Sequence, residues 1–195
     1  MKQLIANSLE KSISYQEYRN MVSDLLAKGK STGAVQTESL LNYSQLNERR
    51  MNRLDKTIRL SKETIAKAKG VQEPVTWLVL TEGWCGDAAQ TLPIISKIAD
   101  QSGKINLKIV LRDENEVLMN EFLTNGGKSI PKLVSLDKNN EVIDSWGPRP
   151  SIPTQMVADY KAKHGALDAE FKKDLQVWYN KDKGRNTQED LLKLL

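Results

Sequence analysis

Cys85 is the single cysteine of this 195-residue chain, and it stands in Trp84-Cys85-Gly86-Asp87-Ala88, directly after an apolar run. A lone thiol can attack a disulfide or an oxidised sulfur, and the thiolate is the form that does so. The residues that follow read as a helix from Gly86 to about Asp100. The thiol therefore meets unpaired backbone N–H groups and the positive end of the helix dipole, both of which favour ionisation. Asp87 in the same turn opposes it, since a neighbouring carboxylate disfavours a second negative charge. The balance leaves the thiol pKa open, and the context predicts a partly exposed Cys85. One cysteine excludes an intrachain disulfide, and with His164 as the single histidine it excludes a Cys/His structural zinc site. Any redox step must borrow a thiol from a partner. No cofactor or metal is expected.

The elements that must position Cys85 follow from patterning. Val75-Thr76-Trp77-Leu78-Val79-Leu80-Thr81 is nearly all apolar, as suits a strand buried on both faces. Ile105 to Leu111 forms a second such run beyond the helix. A strand, helix and strand in succession give a βαβ unit with parallel strands, whose carboxyl ends are where catalytic groups gather. Asp113-Glu114-Asn115-Glu116 has capping-box spacing for a helix that would bury Val117, Leu118, Phe122 and Leu123, closed by Asn125-Gly126-Gly127. Lys132–Leu136 and Glu141–Trp146 flank Asp137-Lys138-Asn139-Asn140, which signals an antiparallel hairpin. As a calcium loop that cluster fails, because Val142 stands where glycine makes the sharp turn.

The flanks are helical. Residues 12 to 28 show capping-box spacing in Ser14-Tyr15-Gln16-Glu17 and helical recurrence of Tyr15, Tyr18, Val22, Leu25 and Leu26, with Gly29 as the stop. Residues 38 to 69 continue as helix with a break near Leu60-Ser61 and a stripe of Leu54, Ile58 and Ile65. After Pro153, helices are expected over about 154–163, 168–180 and 187–195, the second carrying Leu167, Phe171, Leu175 and Trp178 on one face. The chain thus divides into a helical N-terminal extension (1–70) packed on the core, an α/β domain (71–165) and a C-terminal helical extension (166–195).

Charge is segregated. Residues 1–70 hold 13 Lys and Arg against 7 Asp and Glu, the remainder 16 against 18. Arg49, Arg50, Arg53, Lys56, Arg59, Lys62, Lys67 and Lys69 fall in one helical region, read as a solvated face because no aromatics interleave to stack bases. Nucleic acid is not an expected partner. The longest dense apolar run, Trp77–Leu80, is far short of the roughly 20 residues a membrane span needs. The N-terminus turns polar too soon for a secretory signal, which predicts a cytoplasmic address.

Trp84-Cys85-Gly86-Asp87 after an apolar strand resembles the active-site turn of the thioredoxin-like family. Pro93, eight residues beyond the cysteine, matches the proline that kinks the active-site helix of that family. Ile130-Pro131 before a strand resembles its cis-proline, which faces the cysteine, and Gly147 resembles the glycine closing the last strand. The resemblance covers about residues 72 to 165. The helical arm and Gly147-Pro148-Arg149-Pro150 resemble a bacterial subgroup rather than thioredoxin itself.

The resemblance implies a thioredoxin-like α/β fold with a central mixed sheet of about four strands, extra helices at both ends, and a site made of Cys85 with Trp84, Gly86, Asp87, Ala88, Ile130 and Pro131. It also exposes two departures. Ala88 stands where the resolving cysteine belongs, and Val79 where a buried carboxylate assists proton transfer. A dithiol reductase cycle by the usual route is therefore not expected. The expected activity is monothiol thiol–disulfide exchange with protein or low-molecular-weight thiols and disulfides, suited to isomerisation or thiolation and dethiolation. The rival reading is a redox-inactive binding or chaperone-like module. An alanine introduced to trap substrates would give the same sequence. Arg112, Lys132 and Arg149 are cations that could reach the site, with exposed surface charge as the plainer reading.

Overall fold

The computed structural model describes residues 1–195. Strand β1 (Val75–Thr81) is central, with Trp77, Leu78, Val79 and Leu80 all fully buried. Helix α5 (Gly86–Asp100) links it to β2 (Ile105–Leu111), which pairs with β1 in parallel from Val75↔Ile105 to Thr81↔Leu111. On the other side β1 pairs antiparallel with β3 (Lys132–Leu136), and β3 with β4 (Val142–Trp146), giving the order β2-β1-β3-β4. This is the mixed four-stranded α/β sheet expected. Burial on both faces explains why β1 lacks the alternation of a half-exposed strand.

Four helices precede the sheet: α1 (Lys2–Glu10), α2 (Tyr15–Ala27), α3 (Glu38–Thr57) and α4 (Lys62–Lys69). Ser14 and Glu17 form the expected capping box on α2, with Glu17 N–H donating to Ser14 Oγ at 3.2 Å and Ser14 N–H to Glu17 Oε2 at 2.7 Å. The break between α3 and α4 falls at Ile58–Ser61, as expected, but α4 turns Thr64 and Ala68 inward rather than Ile65. Arg19, buried on α2, joins α3 through ion pairs to Glu48 and Asp55. Ile5, Tyr18, Val22, Met51, Leu54 and Ile58 share one apolar cluster with the sheet. The arm also shields the sheet edge: Ile13 and Ile109 exchange two backbone hydrogen bonds at 2.9 and 2.8 Å.

Helix α1 carries little sequence signal, yet it buries Ile5 and Ser8. Another local expectation fails. The helix expected after Asp113 shortens to α6 (Glu116–Asn120), behind a 3₁₀ turn at Arg112–Glu114. The two groups of the expected capping box have other partners, Asp113 with Arg112 and Glu116 with Lys128, while Asn115 Oδ1 between them accepts from Ser8 Oγ at 2.8 Å. Leu118 and Met119 are buried, while Val117 and Leu123 are exposed.

Beyond β4 lie α7 (Ser151–His164), α8 (Ala169–Asp182) and α9 (Arg185–Leu191). Helices α7 and α8 form a hairpin with an apolar cluster of its own, Val157, Phe171, Leu175 and Tyr179, separate from the main core. No helix is long and apolar enough to cross a membrane.

Candidate active site

Cys85 occupies the N-cap of α5, at the carboxyl end of β1. Ala88 N–H points at its sulfur from 3.5 Å, the contact expected of a capping acceptor. On the opposite side the thiol donates to the carbonyl of Ile130 at 3.2 Å, and Ile130-Pro131 is a cis peptide. The turn, the helix and the proline that the sequence placed far apart therefore meet at one sulfur atom. Gly147-Pro148 is cis as well, a feature with no counterpart in the sequence reading.

The exposure of Cys85 requires correction. Only 8% of the residue is accessible, so it is buried rather than partly exposed. The added helices cause this. Gln176 Nε2 of α8 and Arg50 of α3 lie close over Gly86, and Gln90 of α5 donates to Gln176 Oε1 at 2.9 Å. Asp87 accepts a hydrogen bond from Tyr179 of α8 at 3.0 Å and pairs with Arg149 at 2.7 Å. Sequence spacing carries no signal for Tyr179, which lies 92 residues from Asp87.

Burial decides the question that helix dipole and Asp87 left open. It pushes the Cys85 thiol up to about 12, with Asp87 adding to the effect, against the backbone N–H groups of Ala88 and Asp87 and the charge of Arg149. Burial also raises Asp87 itself, opposed chiefly by Arg149, and raises Tyr179, which also feels Asp87. The S–H bond to Ile130 fits a neutral thiol.

The N-terminal arm holds the loop before Cys85. Gly83 N–H donates to Thr32 Oγ1 at 2.8 Å, and Asn47 Nδ2 of α3 donates to the Gly83 carbonyl at 3.0 Å. Glu82 is fully buried, accepts Asp113 N–H at 3.0 Å and has its carboxyl pushed up, first by burial. It is a second buried acid beside the turn that the sequence reading missed, although a carboxylate at the end of an apolar strand was a visible signal. Tyr18 of α2 lies near enough to feel both Cys85 and Glu82. Val79 is fully buried, as expected, and supplies no proton.

Trp84 is half-buried beneath the Arg112 guanidinium, 4.8 Å from its ring centroid. Ala88 is buried against the core. Of the three candidate cations, Arg149 reaches the site directly. Arg112 reaches Trp84. Lys132 instead donates to Thr124 Oγ1 at 2.8 Å. His164 ends α7 in solvent, stacked on Tyr160, and takes no part.

A family model described as thioredoxin matches residues 33–161, more than half of the chain. This chain belongs to the thioredoxin family. The match begins inside the helical arm, so it takes in α3 and α4 with the sheet. Among solved structures, this thioredoxin-family chain is similar to PA1234, a protein of unknown function from Pseudomonas aeruginosa, with a TM-score of 0.56 and 15% identity over 88% of this chain and 94% of that one. It is also similar to an HIV epitope-scaffold, with a TM-score of 0.56 and 17% identity over 93% of this chain and 96% of the other. At these identities the likeness is one of fold. No curated protein matches.

The raised pKa values of Cys85, Tyr18 and Tyr179 imply a stability profile in alkali. Each group binds its proton more tightly when folded, so its contribution is complete at neutral pH. It is lost as pH rises from the unfolded value, near 8.5 for a thiol and 10 for a phenol, towards the folded one, at up to about 1.4 kcal/mol per pH unit per group. Thermal melts should show Tm falling steeply above about pH 9.5, with Cys85→Ser making the first part of the fall shallower. A flat Tm across that range would contradict the buried neutral thiol.

Proposed function

We propose that this chain catalyses monothiol thiol–disulfide exchange at Cys85. The observation that carries the reading is the sulfur's position, N-cap of α5 on one side and the Ile130-Pro131 peptide on the other. That arrangement supplies N–H groups for a thiolate, with the Ile130-Pro131 backbone beside it as the surface a disulfide-bearing chain would meet. The Cys85 thiolate attacks one sulfur of a disulfide, forming a mixed disulfide and releasing the other sulfur as a thiolate. A second low-molecular-weight thiol, or the substrate's own second cysteine, then attacks the mixed disulfide and frees Cys85. One S–S bond breaks and one forms at each step, so no oxidant or reductant is consumed. Isomerisation, thiolation and dethiolation fit this balance. In the closed structure Cys85 is buried, so exchange requires the α7–α8 hairpin to shift. The hairpin's separate apolar cluster and its polar contacts to α5 through Tyr179 and Gln176 favour such a movement.

The second reading is a redox-inactive binding module, favoured by the buried, neutral thiol and by Ala88 and Val79. Two variants separate the readings. The parent should exchange a small mixed disulfide with glutathione, and Cys85→Ser should lose that activity. Ala88→Cys should raise insulin disulfide reduction by about tenfold or more, because it restores an intramolecular resolving thiol. Equal exchange by parent and Cys85→Ser leaves the binding module as the function. A folded Ala88→Cys without gain would count against the proposed geometry.

A further inference from the structure

Most of the cations of the α3–α4 region face solvent, but two of them do not act alone. Arg53, near the C-terminal end of α3, and Arg59, just beyond that end, converge with Lys183 and Arg185 of the α8–α9 turn around a cleft of about 410 Å³. These residues lie more than 120 positions apart in the chain. No carboxylate lines the cleft, and none of the eight ion pairs in the protein includes any of the four cations. The carboxylate nearest in sequence, Asp182, is engaged by the backbone N–H of Asn186 at 3.2 and 3.3 Å. Arg50, about one helical turn before Arg53 and outside the lining, has its guanidinium pushed below its usual pKa first by burial and then by the Arg53 charge, against Asp87. The fold therefore gathers like charges and leaves them uncompensated.

The other polar side chains of the lining are Thr57, Tyr179 and Asn180. Arg53 donates to Asn180 Oδ1 at 2.7 Å, which leaves the amide NH₂ as a further donor in the lining. A ligand here must be rich in acceptors and carry more than one negative charge. Guanidinium groups meet phosphate oxygens in pairs. The floor is apolar, formed by Leu54, Ile58 and the ring of Tyr179, all buried. The volume lies in the range for small-molecule sites, roughly 300 to 1,000 Å³. No exposed aromatic is present on which bases would stack, which disfavours single-stranded nucleic acid.

We propose that this cleft binds a small phosphorylated molecule bearing two or more negative charges. Arg53 and Lys183 hold its phosphate groups from opposite walls. The proposal does not depend on Cys85, so Cys85→Ser should bind as the parent does.

Calorimetric titration with inorganic pyrophosphate at about 50 mM salt tests it, where screening is weak. Saturable 1:1 binding is expected. Arg53→Gln and Lys183→Gln should each weaken it by about fivefold or more, and both together by about twentyfold, by loss of charge-assisted hydrogen bonds. Both side chains are exposed, so the variants retain the fold. Lys67→Gln, an equal loss of charge on α4 outside the cleft, should change affinity less than about twofold. Absence of saturable binding would overturn the proposal. So would equal weakening by Lys67→Gln, which marks general charge attraction, or binding of a single-stranded oligonucleotide where pyrophosphate does not bind.

Discussion

At about pH 7.5, iodoacetamide should modify Cys85 in the native protein roughly three orders of magnitude more slowly than in the unfolded chain. The thiol is pushed up to about 12 when folded, whereas an unperturbed thiol sits near 8.5, so the thiolate fraction differs by about that factor. Mass spectrometry of a time course with and without denaturant measures both rates on one residue, since the chain has one cysteine. Native and unfolded rates within tenfold of each other would show that the turn is open in solution. Asp87→Asn offers a signed companion. It removes the second-largest cause of the raised thiol and leaves Arg149 without its carboxylate, so the thiolate gains from both changes. Native alkylation should then speed up by about tenfold, equivalent to one pKa unit. An unchanged or slower rate would mean that burial alone silences Cys85.

The largest expected effect on stability belongs to Gly147→Ala. Gly147 follows β4 with φ at +113°, a region that L side chains rarely adopt. A Cβ placed there would lie 2.2 Å from the Pro131 carbonyl oxygen and 3.2 Å from its carbon. The obstacle is backbone, at the loop that accepts the Cys85 hydrogen bond, so no side chain can swing aside. Strain at such a position and overpacking each cost about 1–3 kcal/mol, giving a loss on the order of 3–5 kcal/mol. Against a typical total of about 5–15 kcal/mol, much of the protein should unfold at moderate urea. Gly103→Ala is the control, as nothing lies within 4 Å of a Cβ there. Its effect should stay within about 0.5 kcal/mol. A loss below about 1 kcal/mol for Gly147→Ala would show that the Pro131 loop yields.

The site explains why two readings of function remain in competition. The contacts around the sulfur are those of a reactive cysteine, while the cover that α3 and α8 place over it is that of a silent one. On the exchange reading, Cys85 works only when a shift of the α7–α8 hairpin uncovers it. The alkylation rate measures that opening, and exchange with a mixed disulfide measures what the opened site does.

Local patterning determined much of this protein by itself. The limits of β1, α5 and β2 follow from residues that are close in sequence: a run apolar on both faces, a helix start at Gly86 and a second apolar run. The Ser14–Glu17 cap and the β3–β4 hairpin were equally visible, because their partners lie within a few residues. Where an expected local interaction met a better distant partner, the local one lost. Glu116 is the example, taken by Lys128.

The chemistry of the site divides along the same line. The residues marked Cys85 as the candidate nucleophile, and the resemblance to the thioredoxin-like family added Ala88 as the missing resolving position and Pro131 as the facing proline. They did not disclose the state of the thiol. That was decided by Tyr179, Gln176, Arg149 and Arg50, brought from both ends of the chain to close over one turn. Burial and charge depend on what surrounds a group in space. The sequence by itself singled out the candidate atom, as the one thiol at a helix start, and the tertiary structure decided that it rests neutral and covered.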